Sequence, residues 1–174
     1  MSTFTQRMIG AARLDSHTYE EVEADRTATS QALAVVVLAS LAAAAGSVGL
    51  GIGSGIGAAL GALVGWFVWA MLIYLIGTRL FPEPQTQADV GELLRTLGFA
   101  AAPGVVRVLG IVPGLRWPIF AITAIWMLVT TVVAVRQALD YRSTLRAIGV
   151  CSTGWLISVV LAVVMGVLFG PTVQ

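Results

Sequence analysis

The apolar positions of this chain fall into long runs separated by short polar stretches. From Thr27 to Thr78, fifty-two consecutive residues carry no charge. A helix crossing a bilayer needs about 20 apolar residues, so this stretch holds two crossings. Gly46, Gly49, Gly51, Gly53, Gly55 and Gly57 crowd its middle and mark the turn between them. The pattern predicts a first span over Thr27 to Val48, with Asp25 as its N-cap, and a second over Gly57 to Leu80. The next apolar run, from Val90 to Gly110, is interrupted by Arg95, Pro103-Gly104 and Arg107. It reads as a kinked span or as a re-entrant segment, with Asp89 placed to cap its start. A fourth span covers Trp117 to Val135. Arg136-Gln137-Ala138-Leu139-Asp140-Tyr141-Arg142 is expected to continue it as helix beyond the bilayer. The fifth runs from Ala147 to Phe169, where Gly170-Pro171 stops it.

Before the first span, Phe4, Met8, Ala11 and Ala12 form one apolar stripe at helical spacing. Residues Ser2 to Leu14 therefore read as an interfacial helix, with Arg7 and Arg13 near the head groups, or as a disordered tail. In the acidic stretch Asp15 to Asp25, Thr18 and Glu21 have capping-box spacing, and Asp15 or Ser16 are alternative caps. That stretch is either a solvated helix or a docking patch for a basic partner. Gly57, Gly61 and Gly65 recur every four residues on one face of the second span. Such small-residue spacing lets helix backbones approach closely in lipid, either within the chain or at a dimer face. Trp66 and Trp69 lie mid-span and read as packing residues.

Composition agrees with this pattern. The chain is 57% hydrophobic and only 11% charged, with a mean hydropathy of +0.90; soluble domains carry about 25% charged residues. The N-terminus lacks a signal peptide's immediate apolar run, so the first span reads as an uncleaved anchor. Charge also bears on the doubtful third segment. With five spans, Arg7, Arg13, Arg26, Arg79, Arg95, Arg136, Arg142 and Arg146 share the cytoplasmic side, and Arg107 and Arg116 lie opposite, eight against two. With four the count is seven against three. The positive-inside tendency favours five. The expected organisation is a cytoplasmic N-terminal segment over 1–26, a membrane domain over 27–170 and a short tail over 171–174. It is an all-α polytopic bundle of the cell (inner) membrane, with its C-terminus on the far side.

Candidate chemistry is sparse. A net charge of +1 gives no electrostatic footprint for nucleic acid. His17 and Cys151 make no metal-ligand cluster, no cofactor motif is seen, and the Gly-x-Gly run lacks nucleotide-loop spacing. Ser40, Thr123, Thr130, Thr131, Ser152, Thr153 and Ser158 have no base within reach on any helix and are expected to bond to helix backbone. The spans hold no Asp, Glu or His, which argues against proton-coupled transport; a passive pore for a small neutral solute stays open. The charges that stand out are Glu92, Arg95, Arg136 and Asp140, at the cytoplasmic ends of helices. Glu92 or Asp140 is expected to pair with Arg95 or Arg136, pinning the third helix to the fourth. The alternative is a lipid-phosphate site made by Arg95, Arg136, Arg142 and Arg146. Arg107 either snorkels to the far interface or meets carbonyls freed by Pro103.

The order of segments resembles the Yip family (Ypt-interacting-protein domain) in its short bacterial form. The likeness is carried by Thr18-Tyr19-Glu20-Glu21-Val22-Glu23-Ala24-Asp25 before the first span and Gly91-Glu92-Leu93-Leu94-Arg95-Thr96-Leu97-Gly98-Phe99-Ala100 opening the third. Ala102-Pro103-Gly104 and Arg107-Val108-Leu109-Gly110 close the third, and Ala134-Val135-Arg136-Gln137-Ala138-Leu139 follows the fourth. It covers about residues 15 to 170. The resemblance implies a five-helix membrane domain with a cytoplasmic N-terminus. Eukaryotic members act in vesicle trafficking and membrane shaping, and several bind small GTPases. Their long N-terminal region and Asp-Leu-Tyr-Gly-Pro stretch are missing, so GTPase binding is not carried over. The expected function is non-enzymatic: a scaffold or accessory subunit that contacts membrane lipids and other membrane proteins or itself. The alternative is a channel or facilitator for a small neutral solute.

Overall fold

The computed structural model of the protein describes residues 2–47 and 52–169. Every regular element among the described residues is helical. Two short helices, α1 (Phe4–Ala12) and α2 (Ser16–Ala24), precede α3 (Ala28–Gly46) and α4 (Ile52–Arg79). Then come α5 (Val90–Ala100), a 3-10 segment (Ala102–Ile111), α6 (Arg116–Ala138) and α7 (Thr144–Phe169). Five stretches are long and apolar enough to cross a membrane, and α5 with the 3-10 segment, Val90–Ile111, is one of them. At 1.5 Å per α residue and 2.0 Å per 3-10 residue this pair reaches about 36 Å, enough for a hydrocarbon core of about 30 Å. The chain is a multi-pass membrane protein.

The third span is the centre of the bundle. Of its most apolar window 56% is buried, against 17–33% for the other four. It packs chiefly against α3, and the contact is made by small residues. The buried positions of α3 include Ala28, Ala32, Val35, Ala39, Ala42 and Gly46, spaced alternately by four and three, while Leu33, Leu38 and Leu41 point outward. Large side chains out and small ones in reverses the soluble pattern. Lipid tails are as apolar as leucine, so burial of bulk gives no drive and close backbone approach does. Gly98 faces Ala32, Gly104 faces Ala39 and Gly110 faces Gly46.

Several boundaries move from their expected places. The second span starts at Ile52, so Gly53, Gly55 and Gly57 belong to the helix and the turn is shorter than the glycine run. The centre of that turn, 48–51, and the Gly170-Pro171 stop with the tail 171–174 lie outside the described residues. The helix expected through Arg142 ends at Ala138. There Asp140 adopts a left-handed conformation (φ 53), Tyr141 N–H reaches Arg136 O and Asp140 N–H reaches Gln137 O, a Schellman-type end. Turning here buries Leu139, and it lets the Tyr141 hydroxyl donate to Gly77 O and Phe81 O, both at 2.8 Å.

Residues 4–24 are ordered helices packed into the bundle and do not form a tail. Trp126 Nε1, near the middle of α6, donates to Ala12 O at 2.7 Å, and the Tyr19 hydroxyl donates to Ala11 O. Thr3 caps α1 in a capping box with Gln6, and Asp15, rather than Thr18, caps α2. Thr18 donates its hydroxyl to Asp15, and Glu21 is engaged elsewhere. Asp25 accepts from Thr27 N–H, while Thr27 holds the N-cap position of α3.

Candidate functional site

The end of the bundle where α4 and α6 finish and α5 and α7 begin collects most of the polar residues. At the start of α5, Asp89 and Glu92 form the capping box reciprocally, each accepting the other's N–H at 2.8 Å. Glu92 therefore serves its own helix end. One turn on, Arg95 is 6% exposed, and its Nε donates to Val22 O and Glu23 O at 3.1 and 2.9 Å. These are carbonyls at the C-terminus of α2, left without intrahelical donors and favouring a cation. The ion pair expected between Glu92 or Asp140 and Arg95 or Arg136 does not form. Helix-end backbone groups are the nearer partners: Arg136 Nε donates to Tyr141 O at 3.3 Å, and Asp140 takes the left-handed conformation that ends α6.

What gathers instead is a group around Glu23 of α2. Its carboxyl is pushed up to about 7, first by burial and then by the charges of Asp140 and Glu92, with Arg95 opposing. So Glu92, Arg95 and Asp140 do share one electrostatic neighbourhood, but an acid from α2 stands among them. Arg142 and Arg146 meet Glu83 of the α4–α5 loop. Arg142 N–H donates to Glu83 Oε2 at 3.1 Å, and Arg146 Nε lies 3.4 Å from Glu83 Oε1. The Arg142 amide, first among the causes, holds the Glu83 carboxyl below its usual range. Arg146 is 46% exposed, so solvent screens its pair with Glu83 and the pair adds little to stability. Arg136, Arg142 and Arg146 present their side chains at the surface of this end; Arg95 does not.

Arg7, expected at the head groups, is instead 2% exposed and fully engaged. Nη2 contacts Glu21 Oε1 at 2.9 Å and Asp25 Oδ2 at 2.8 Å, and Nη1 donates to Gln31 Oε1 at 3.1 Å. This ties α1 to α2 and to the start of α3. The Ser2 hydroxyl first, and Arg7 next, bring Glu21 down to about 2; Thr27 first, and Arg7 next, do the same for Asp25. The signal in the sequence was an arginine one turn from Phe4, on the same face as Met8 and Ala11.

Gly57, Gly61 and Gly65 are exposed, and an added Cβ at any of them would meet nothing within 4 Å. Ile56, Leu60 and Val64 flank them at 58%, 60% and 65% exposure. Among the described residues, this face of α4 therefore makes no contact within the chain. Among the hydroxyls, those of Ser40, Thr123, Thr131 and Ser158 donate to carbonyls three or four residues back, and Thr130 donates across to Ala100 O at 2.7 Å. Trp66 Nε1 donates to Leu94 O at 3.1 Å, joining α4 to the third span.

Among known proteins, the family model described as the Yip1 domain matches residues 15–165. No curated protein and no solved structure matches the chain.

Proposed function

Because the chain belongs to the Yip1 domain family, we propose that it is a non-enzymatic scaffold or accessory subunit of a membrane assembly, working through protein and lipid contacts. The observation that carries this reading is the open glycine face of α4. Three glycines four residues apart expose backbone between ridges of Ile56, Leu60 and Val64. In lipid, such a groove favours close approach of another helix. The partner is another membrane protein or a second copy of this chain. Arg136, Arg142 and Arg146 supply the lipid contact, to anionic head groups of the leaflet they face. The eight-to-two distribution of arginines supports placing that end on the cytoplasmic side of a cell (inner) membrane.

The test is gentle purification from native membrane with mass spectrometry of what accompanies the chain, repeated with Gly61→Leu. A stoichiometric membrane partner, or a self-association, that Gly61→Leu removes without unfolding the chain supports the proposal. A chain recovered alone that passes a small neutral solute in liposomes would replace it with the facilitator reading.

A further inference from the structure

Arg107 sits at the other end of the bundle, and its surroundings differ from those of every arginine above. Its backbone is fixed by close approach: a Cβ at Gly46 would collide with the Arg107 carbonyl oxygen, and one at Gly110 would stand 2.9 Å from both Gly46 O and Phe120. From this fixed base the side chain crosses to α6. Nε donates to Thr123 Oγ1 at 3.1 Å, and Cζ lies 5.4 Å from the Phe120 ring centre. It meets none of the carbonyls near Pro103. A guanidinium has five N–H donors, and Thr123 takes one. The terminal nitrogens of Arg107 have no partner among the described residues, and Arg107 joins none of their ion pairs. No buried side-chain nitrogen or oxygen among those residues lacks a partner, so these nitrogens face open space.

Arg107 also lines a cavity of about 370 Å³ between α3, α4, the third span and α6. Its walls are mostly small residues, among them Ala39, Ser40, Ala43, Ser47 and Ala62, with Arg107 as the charge. The volume lies in the range of about 300–1,000 Å³ usual for small-molecule sites. Depth follows from α6. Trp117 is 84% exposed, as an interfacial anchor is, and Thr123 is six residues further in, about 9 Å along the helix. The guanidinium therefore lies just inside the interface. A cation with free donors there needs an anion. The acidic residues of the sequence fall at 15–25, 83–92 and 140, in the N-terminal pair or at the polar end. Arg116, exposed beside Trp117 and Phe120, adds a second positive charge on this side.

We propose that Arg107 and this cavity bind a phosphate group through the terminal guanidinium nitrogens, with the phosphodiester of a membrane phospholipid as the ligand this depth favours. The planar fork of arginine matches two phosphate oxygens, and the Thr123 bond and Phe120 ring set its orientation. The alanine walls leave room for the glycerol behind the phosphate. A neutral ligand would leave the charge uncompensated. This site does not depend on the role assigned to α4 or to the polar-end arginines.

The test separates it from them. In detergent, the Arg136→Gln, Arg142→Gln, Arg146→Gln triple variant is expected to retain one phosphatidylglycerol per chain in native mass spectra and to unfold at higher temperature when that lipid is added. Adding Arg107→Gln, which keeps a donor for Thr123, should weaken binding by about tenfold and abolish the thermal shift. Ala62→Leu, which fills the cavity and leaves Arg107 in place, should do the same and decides the matter if the arginine variant fails to fold. Protection by phosphatidylglycerol alone identifies the lipid. Equal protection by inorganic phosphate or glycerol phosphate identifies a free phosphate compound at the same site. Unchanged lipid retention in both Arg107→Gln and Ala62→Leu would overturn the proposal.

Discussion

Two sets of glycines in this bundle, six residues apart along the third span and four apart along α4, meet opposite surroundings. Where α3 meets the third span, a Cβ on Gly98, Gly104 or Gly110 would stand 2.6, 3.0 or 2.9 Å from its neighbour, and one on Gly46 would collide. On α4, a Cβ at Gly57, Gly61 or Gly65 would touch nothing within 4 Å among the described residues. Glycine spacing says that a helix can be approached closely. It does not say which helix does so. The first set is used by the chain itself, and the second remains open on its surface.

The sharpest way to break this comparison is to exchange the two sets. Gly46→Val pushes a branched side chain into the Arg107 carbonyl and is expected to lower stability by about 3 kcal/mol or more, read by thermal unfolding in detergent. Gly61→Val should change stability by less than about 0.5 kcal/mol. Equal effects at the two positions would mean that the open face is packed in the membrane by something the chain needs for folding.

A smaller effect is expected from Arg7→Gln, which strands Glu21 and Asp25 without their cation. These carboxylates are 24% and 15% exposed, so the loss should be about 2 kcal/mol, below that of a fully buried pair. Their pH dependence follows from the lowered values. Both are deprotonated in the folded protein down to about 2, whereas unfolded they bind protons near 4. The stability they contribute is complete above about pH 5 and is lost as pH falls through about 2. Arg7→Gln should shrink that loss without abolishing it, since the Ser2 and Thr27 hydrogen bonds remain.

Glu23, two residues from Glu21, should behave in the opposite sense. Its carboxyl is raised to about 7, so between the unfolded value of 4.5 and about 7 the folded state holds a proton the unfolded state lacks. Stability then falls as pH rises through this window and levels off above it. Glu23→Gln should flatten the slope, measured as hydrogen exchange over α2 at pH 5 and pH 8. The smallest effect is expected from Asp140→Gly. Glycine adopts the left-handed conformation without strain, and the change also removes a charge from Glu23. A gain of up to about 1 kcal/mol is expected in thermal unfolding, and a loss would show that the Asp140 side chain holds a contact of its own.

Four of the spans were legible because each is an uncharged run of about the length a bilayer needs or more. The third became legible only through arginine counting, since Pro103-Gly104 and two charges hide it. Its 3-10 geometry was not legible: nothing in Ala102 to Ile111 distinguishes a tighter helix from a kinked one. The packing face of α3 was legible in principle, as alanines and a glycine alternating by four and three, but alanine is so common in this stretch that the repeat hides among its neighbours. Side-chain partners were the least legible. Arg95 and Arg136 sought carboxylates by the logic of charge, and the structure gives them helix-end carbonyls. Such partners depend on which helix ends meet, and that is a property of tertiary arrangement.

The bond between Ala12 O and Trp126 Nε1 joins residues 114 apart in the chain. Helices α1 and α2 leave the ribosome before α3 to α7, yet the surface they rest on is built from α5 and α6, made afterwards. This pair of helices must therefore wait, with Arg7 already able to find Glu21, until α3 to α6 are in place. Its docking is a late event of biogenesis, and a chain halted before α6 would present these helices unanchored to the cell's quality-control machinery.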